Sequence, residues 1–336
     1  MLSPRAIRLF LKYFDSIDQA LSRRLVRKRT WDEEALTFLF TELLDEEGQK
    51  DHNLPYPHDK LVHDLTLTAE PLAVSVTLET HSYPKPMERY VTQSDLGFIL
   101  SYEDQFNHAA SFRRGWLMQA KRLFATGQHH ERGFTQNSRF ESFDSDQHDR
   151  MKKLRDWAQC EFIRYLLYCP RPTMLDRHTR EQLSAARSQG LGSDIFDYAL
   201  GLELRDDLLS ETPTTAAGVF VALLDSLPDT LLTVHQSLFR AVTPFSWFIV
   251  NQLAQTSGIR VRSEAEMPVR QPPGKEANLN NPIIEGLIRG DASVIKQDET
   301  LQAVLEDEEQ AHILPAHTVS VRVINGIDRP RKENIG

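Results

Sequence analysis

Residues 115–124 read GWLMQAKRLF, an apolar run interrupted by Gln119 and Lys121. Side chains alternate sides along a β-strand, so two residues two apart share one face. An amide and an ammonium turned into a dry sheet cost free energy unless each finds a partner. The expectation is a sheet whose open end leaves Gln119 and Lys121 facing a wet cleft.

The flanking sequence supplies a sheet of this kind. TWDEEALTFLFTELLDEE (residues 30–47) places Thr30 and Glu33 at capping-box spacing ahead of Leu36, Leu39, Phe40, Leu43 and Leu44, which predicts a helix. A Pro- and His-rich loop over 48–60 leads to LTLTAEPLAVSVTLETH, whose alternation around Val74, Val76 and Leu78 predicts a strand. YVTQSDLGFILSYE (90–103) predicts a second strand and 115–124 a third; a long polar loop runs from Thr126 to Ser145. DQHDRMKKLRDWAQ (146–159) reads as a helix, and EFIRYLLYC (161–169) as a fully buried strand stopped by Pro-Arg-Pro. The class is α/β, in the order helix, three strands, helix, strand.

Outside this core, residues 1–29 form a basic helical arm or docked helix with 8 Lys and Arg against 2 acids. Residues 176–258 are helical in pattern, including the segment with Ala217, Val221 and Leu224. Residues 259–336 give a linker, an acidic helix around LQAVLEDEEQ and a terminal β-like run, HTVSVRVI. The expected divisions are thus 1–29, 30–175, 176–258 and 259–336, with the C-terminal half mainly helical.

The net charge of −9 argues at first against a nucleic-acid partner, but residues 108–180 hold 14 Lys and Arg against 8 Asp and Glu. The acid is segregated elsewhere. No apolar run approaches the roughly 20 residues of a membrane span. Two cysteines, Cys160 and Cys169, make no disulfide framework, so a cytoplasmic setting without a membrane is expected. Walker-type, GxSxG and HExxH motifs are absent, which disfavours nucleotide hydrolysis, serine-hydrolase chemistry and zinc proteolysis.

Asp95 opens the apolar strand LGFIL, and if that strand pairs with the next, Asp95, Gln119 and Lys121 converge. Magnesium takes oxygen ligands and keeps several waters, so a carboxylate or two with a backbone carbonyl such as that of Ala120 is enough. A lysine beside such a site can position water and stabilise charge at a phosphate. An Asp-apolar strand followed by Gln-x-Lys on its neighbour resembles the PD-(D/E)xK nuclease superfamily, in the QxK form of Mrr-like type IV restriction endonucleases. The element order of residues 30–170 matches that family's restriction-endonuclease-like core.

The resemblance implies a Mg²⁺- or Mn²⁺-dependent endonuclease acting on DNA in defence against foreign DNA. It implies metal binding by Asp95, Gln119, Ala120 and a first-helix glutamate, Glu33 ahead of Glu34. It also draws in Glu79 of the ETH sequence, Gln147 at the start of the second helix, and Lys121 as the catalytic ammonium. Glu103 or Asp104 in SYEDQ is an alternative to Asp95, because the spacing from Asp95 to Gln119 is long for a hairpin. Arg113, Arg114, Arg122, Lys152 and Lys153 are candidates for phosphate contacts, and His129, His130 and Glu131 read as solvated loop residues. A glutamine in place of the usual acid leaves a second reading open, a nuclease-fold protein that binds nucleic acid or scaffolds a defence complex without cutting. A controlling partner protein and self-association are both compatible with the sequence. The acidic C-terminal segment is expected to close the cleft or hold that partner, so that deleting 297–336 would raise non-specific DNA binding.

Overall fold

The computed structural model describes residues 2–27, 31–68, 70–81, 94–126, 133–140, 145–191, 193–254, 277–305 and 314–326. The helices are α1 (Pro4–Leu25), α2 (Glu33–Leu44), α3 (His58–Thr66), α4 (Ser145–Ala158), α5 (Arg177–Gly190), α6 (Ser193–Gly201), α7 (Arg205–Leu208), α8 (Leu231–Gln236), α9 (Phe245–Ala254), α10 (Pro282–Ile288) and α11 (Glu299–Leu305). The strands are β1 (Leu72–Thr80), β2 (Ser94–Asp104), β3 (Phe112–Arg122), β4 (Ile163–Tyr168), β5 (Val219–Leu223), β6 (Val242–Pro244) and β7 (Pro315–Asn325). Together they form a mixed α/β architecture, one central sheet with helices packed against it.

The sheet has seven strands in the order β1-β7-β2-β3-β4-β5-β6. β2 and β3 pair antiparallel, β3 and β4 parallel. β7 runs parallel to β2 and antiparallel to β1, standing between them. β1 and β2 are not neighbours, because Val319, Val321 and Val323 of the terminal run are fully buried and need a covered, central position.

The region expected to be helical over 176–258 also contributes β5 and β6 to the sheet. Its run VFVAL is short and apolar throughout, so periodicity cannot separate a buried strand from a helix there. Conversely, α3 begins inside the stretch expected to be a loop. Thr30 lies outside the described residues; the cap of α2 is Asp32, whose carboxylate accepts from Ala35 N at 2.8 Å.

α1 is a docked helix, not a projecting arm. Ser3 caps it, Pro4 opens it, and Ile7, Phe10, Leu11, Phe14, Ile17, Leu21 and Leu25 form its buried stripe. Phe245 of α9 is a hub for this layer, in edge contact with Phe14, Phe40 and Phe98 at centroid distances of 5.9, 4.9 and 5.5 Å. Asp15 and Asp18 turn inward to Arg171, whose Nη1 donates to them at 2.7 and 2.9 Å. Asp18 also accepts from Gly218 N and Val219 N, tying α1 to the start of β5.

On the other face, the C-terminal end of α10 lies directly on β2 and β3. A Cβ on Gly97 would come within 2.1 Å of Ile288 O, so the glycine in SDLG is required by this close approach. Thr318 of β7 donates to the same carbonyl at 2.7 Å. Among the described residues no helix is long and apolar enough to cross a membrane.

Candidate active site

Register carries Asp95 to Gln119. Leu96 pairs with Met118, so the next step outward sets Asp95 across from Gln119. Gln119 Nε2 donates to Asp95 Oδ2 at 2.6 Å, and Ala120 N donates to the same oxygen at 2.7 Å. Gln119 Oε1 in turn accepts from Gln147 Nε2, on the first turn of α4, at 3.0 Å. Three residues from β2, β3 and α4 thus form one hydrogen-bonded chain.

The first turn of α2 reaches the same end of β3. Glu33 Oε1 accepts from Arg122 N at 3.0 Å, and Glu33 Oε2 lies 3.8 Å from Lys121 Nζ. The Lys121 side chain is only 11% exposed, so its ammonium is held close to Glu33 at the sheet end. Trp31, just ahead of the helix, accepts from Arg122 Nη1 through its carbonyl at 2.6 Å.

Burial pushes the Asp95 carboxyl up to about 7, against the Ala120 N–H; the Glu33 charge pushes it further up, Lys121 pulls it down, and Glu34 adds to the rise. Asp95 is therefore poised to exchange a proton near neutrality. Tyr168, whose hydroxyl donates to Thr37 Oγ1 at 3.1 Å, is also held strongly protonated, by burial and then by the Asp95 and Glu33 charges. Tyr165, the β4 partner of Gln119, lies stacked on His148, with His148 Nδ1 and the Tyr165 hydroxyl 3.1 Å apart. Burial holds the His148 pKa down, and Lys152 adds to this. Sequence reasoning missed Trp31, Tyr165 and His148; the adjacency of His148 to Gln147 was the available signal.

The remaining candidates lie apart from this cluster. Glu79 is exposed on β1, which β7 separates from β2, and it is paired with Arg289 at 3.2 Å. Glu103 pairs with Arg322 at 2.8 Å. Asp104, at the far end of β2 and roughly 30 Å from Asp95 at the usual strand rise, is buried. Burial would raise its carboxyl, but hydrogen bonds from Tyr102, Asn107 N and Asn325 outweigh that and hold it below the usual range. It anchors the turn after β2 and is not an alternative ligand at the Gln119 end.

Of the basic candidates, Arg114 is buried and bonded to Gln252 and Asn278, which corrects its assignment to a phosphate-contacting rim. Arg113 is paired with Glu285, and Lys152 lies 3.8 Å from Asp225. Lys153 is exposed. The Arg122 guanidinium packs over the Phe124 ring at 4.1 Å. His129, His130 and Glu131 lie outside the described residues.

Among the described residues no group of three or more His, Cys, Asp and Glu gathers as a metal site. The Asp95 cluster offers a different donor set: the carboxylates of Asp95 and Glu33, the Ala120 carbonyl and the Gln119 amide. These are hard oxygen donors of the kind Mg²⁺ and Mn²⁺ take with several retained waters. Asp95 feels two further carboxylates against one ammonium, and a divalent cation would relieve that excess. The residues present fit the ion, with one condition: the Gln119 amide presents its nitrogen to Asp95, so it binds a cation only after a half-turn that exchanges its two ends. Comparison with known families, curated proteins and solved structures returned no match.

Proposed function

We propose that this protein is a Mg²⁺-dependent nuclease with a restriction-endonuclease-like core, hydrolysing phosphodiester bonds in DNA. The observation that supports it is the convergence of Asp95, Gln119 and Lys121 on one paired end of β2 and β3, with Glu33 of α2 against Lys121 and Gln147 of α4 against Gln119. Asp95 and Glu33, with the Ala120 carbonyl, would hold the cation, which supplies Lewis-acid activation of water and neutralisation of phosphate charge. Glu33 fixes the Lys121 ammonium at the sheet end, where it orients the attacking water and stabilises the negative charge that builds on the phosphate oxygens. Gln147 fixes Gln119, and Gln119 and Ala120 N fix the Asp95 carboxylate. Cytoplasmic defence against foreign DNA is the setting this activity suits, and a partner protein that restrains cutting suits a nuclease inside its own host.

A second reading, binding without cutting, is favoured by the Gln119 nitrogen facing Asp95 where most related sites would place an acid. One assay separates the two. Supercoiled plasmid and, in parallel, single-stranded DNA are incubated with Mg²⁺ or Mn²⁺ and wild type, Asp95→Ala or Lys121→Ala. Cutting by wild type that both substitutions abolish supports the nuclease; no cutting, or equal cutting by all three, overturns it.

A further inference from the structure

Beyond Lys121 the chain leaves β3 and builds a cleft of about 380 Å³ lined by Phe124, Ala125, Thr126, Asn137, Arg139 and Phe140. Its walls are tied on both sides. Phe124 N donates to Arg139 O at 2.9 Å, and Leu123 pairs with Phe140. Leu231 N and Leu232 N donate to Ser138 O and Gln136 O, which fastens the outer wall to α8. The cleft is preformed and lies at the low end of the volume range of small-ligand sites.

Its chemistry is an aromatic floor with a cationic and an amide rim. Phe124 is half-buried, while Arg139 and Asn137 are exposed and, among the described residues, their side chains take no partner. Phe124 lies no more than about 11 Å of extended chain from Lys121, so the cleft is a near neighbour of the proposed site. Cation and ring also alternate on the side toward α2. The Arg122 guanidinium covers Phe124 at 4.1 Å and donates to the Trp31 carbonyl, and the Arg24 guanidinium lies 5.7 Å from the Trp31 ring. Rings that offer stacking faces, interleaved with guanidinium groups that follow phosphates, are the features by which proteins take up unpaired nucleotides. A duplex keeps its bases stacked internally and has no ring to place in such a cleft.

We infer that the Phe124–Arg139 cleft holds an unpaired base next to the bond to be cut, so that the substrate is single-stranded or locally unpaired nucleic acid. The base stacks on the Phe124 face opposite the Arg122 guanidinium, Arg139 takes the adjoining phosphate, and the Asn137 amide meets the base edge. This rests on the nuclease reading but is tested apart from it, by binding in EDTA.

Fluorescence anisotropy is measured with a labelled 20-nucleotide DNA strand, its duplex and the matching RNA strand. The full-length proteins used are wild type, Asp95→Ala, Phe124→Ala, Phe124→Tyr and Arg139→Gln. Wild type and Asp95→Ala should bind the single strand more tightly than the duplex. Phe124→Ala should weaken single-strand binding about tenfold, a loss of the size expected for one stacked base, and Phe124→Tyr should restore it. Arg139→Gln should lower the slope of log affinity against log salt by about 0.7, the contribution of one phosphate contact on a single strand. Preference for the RNA or the DNA strand would support the cleft and identify the sugar. A wild type that favours duplex, or Phe124→Ala and Arg139→Gln proteins that melt normally and bind single strands like wild type, would overturn it. Loss of plasmid cutting in Asp95→Ala bears only on the metal site, since that variant still carries the cleft.

Discussion

Asp95 and Gln119 face each other across β2 and β3, with the amide nitrogen of one 2.6 Å from the carboxylate of the other. That contact, with the Ala120 N–H, does not offset burial and the neighbouring Glu33 and Glu34 charges, so the Asp95 carboxyl is raised to about 7. A carboxyl whose folded pKa exceeds its unfolded one binds its proton more tightly in the native state. Its stabilising contribution is therefore complete below about pH 4 and is lost as pH rises toward 7. Asp95→Asn keeps an acceptor for Gln119 and Ala120 N while removing the charge. The variant should match wild type near pH 4, exceed it increasingly up to about pH 7 and keep a constant margin above that, at most about 4 kcal/mol. Urea unfolding between pH 4 and 8.5 checks this, and a difference that does not change with pH would remove the raised carboxyl from the account.

On the proposed function the same carboxyl would govern cation binding. Mg²⁺ and Mn²⁺ compete with its proton, so metal should stabilise wild type more at pH 8 than at pH 6. Ten times the dissociation constant of a ligand that binds only the folded state contributes about 1.4 kcal/mol. Thermal melts with increasing metal should show an upward shift for wild type that Asp95→Asn and Glu33→Gln largely lose. An equal shift in all three proteins would place the metal elsewhere.

Arg171 tests how α1 is held. Its Nη1 bridges Asp15 and Asp18, and all three residues are buried. Arg171→Ala would leave two inward carboxylates without their cation, at a cost of roughly 3–5 kcal/mol. The exposed Arg8–Glu203 pair, 3.1 Å apart, offers the contrast. Arg8→Ala should cost at most about 1 kcal/mol, as surface ion pairs do. Urea denaturation of both variants checks the ranking; similar midpoints would mean that α1 is held by its apolar stripe alone.

The parts of this structure legible in the sequence are those where local pattern and burial agree. EFIRYLLYC is apolar on both sides except at Arg164, which pairs with Glu161, and became β4, buried along its whole length. Gln119 and Lys121 broke an apolar run and lie at the sheet end, with Gln119 against Asp95 and Lys121 against Glu33, but Gln119 is buried and Lys121 nearly so, each satisfied by a partner and not by the wet cleft the pattern suggested. What the pattern could not reveal was long-range pairing. Nothing local in HTVSVRVI says that its neighbours are β1 and β2, more than 200 residues earlier. The inward turn of Asp15 and Asp18 was equally hidden, because their partners, Arg171 and the Gly218–Val219 backbone, are remote in sequence.

The position of β7 supplies the last prediction. In sequence the C-terminal segment reads as an acidic helix and a terminal β-like run, whose deletion over 297–336 is expected to raise non-specific DNA binding. In the fold, residues 315–325 are, among the described residues, the only sheet neighbour of β1 and hold the outer side of β2, the strand that carries Asp95. Val319, Val321 and Val323 of this strand are buried, and Thr318 fastens it to the end of α10. A chain ending at residue 313 would leave β1 unpaired and the ladder of β2 open on one side, each with unsatisfied backbone groups. It should lose the cooperative unfolding transition and not merely gain affinity for DNA. Val321→Ala, which keeps the strand, should cost about 2 kcal/mol through the cavity it leaves. Circular dichroism melts of both proteins decide the matter: a truncated chain that melts at the wild-type temperature would show that β1 and β2 hold together without β7.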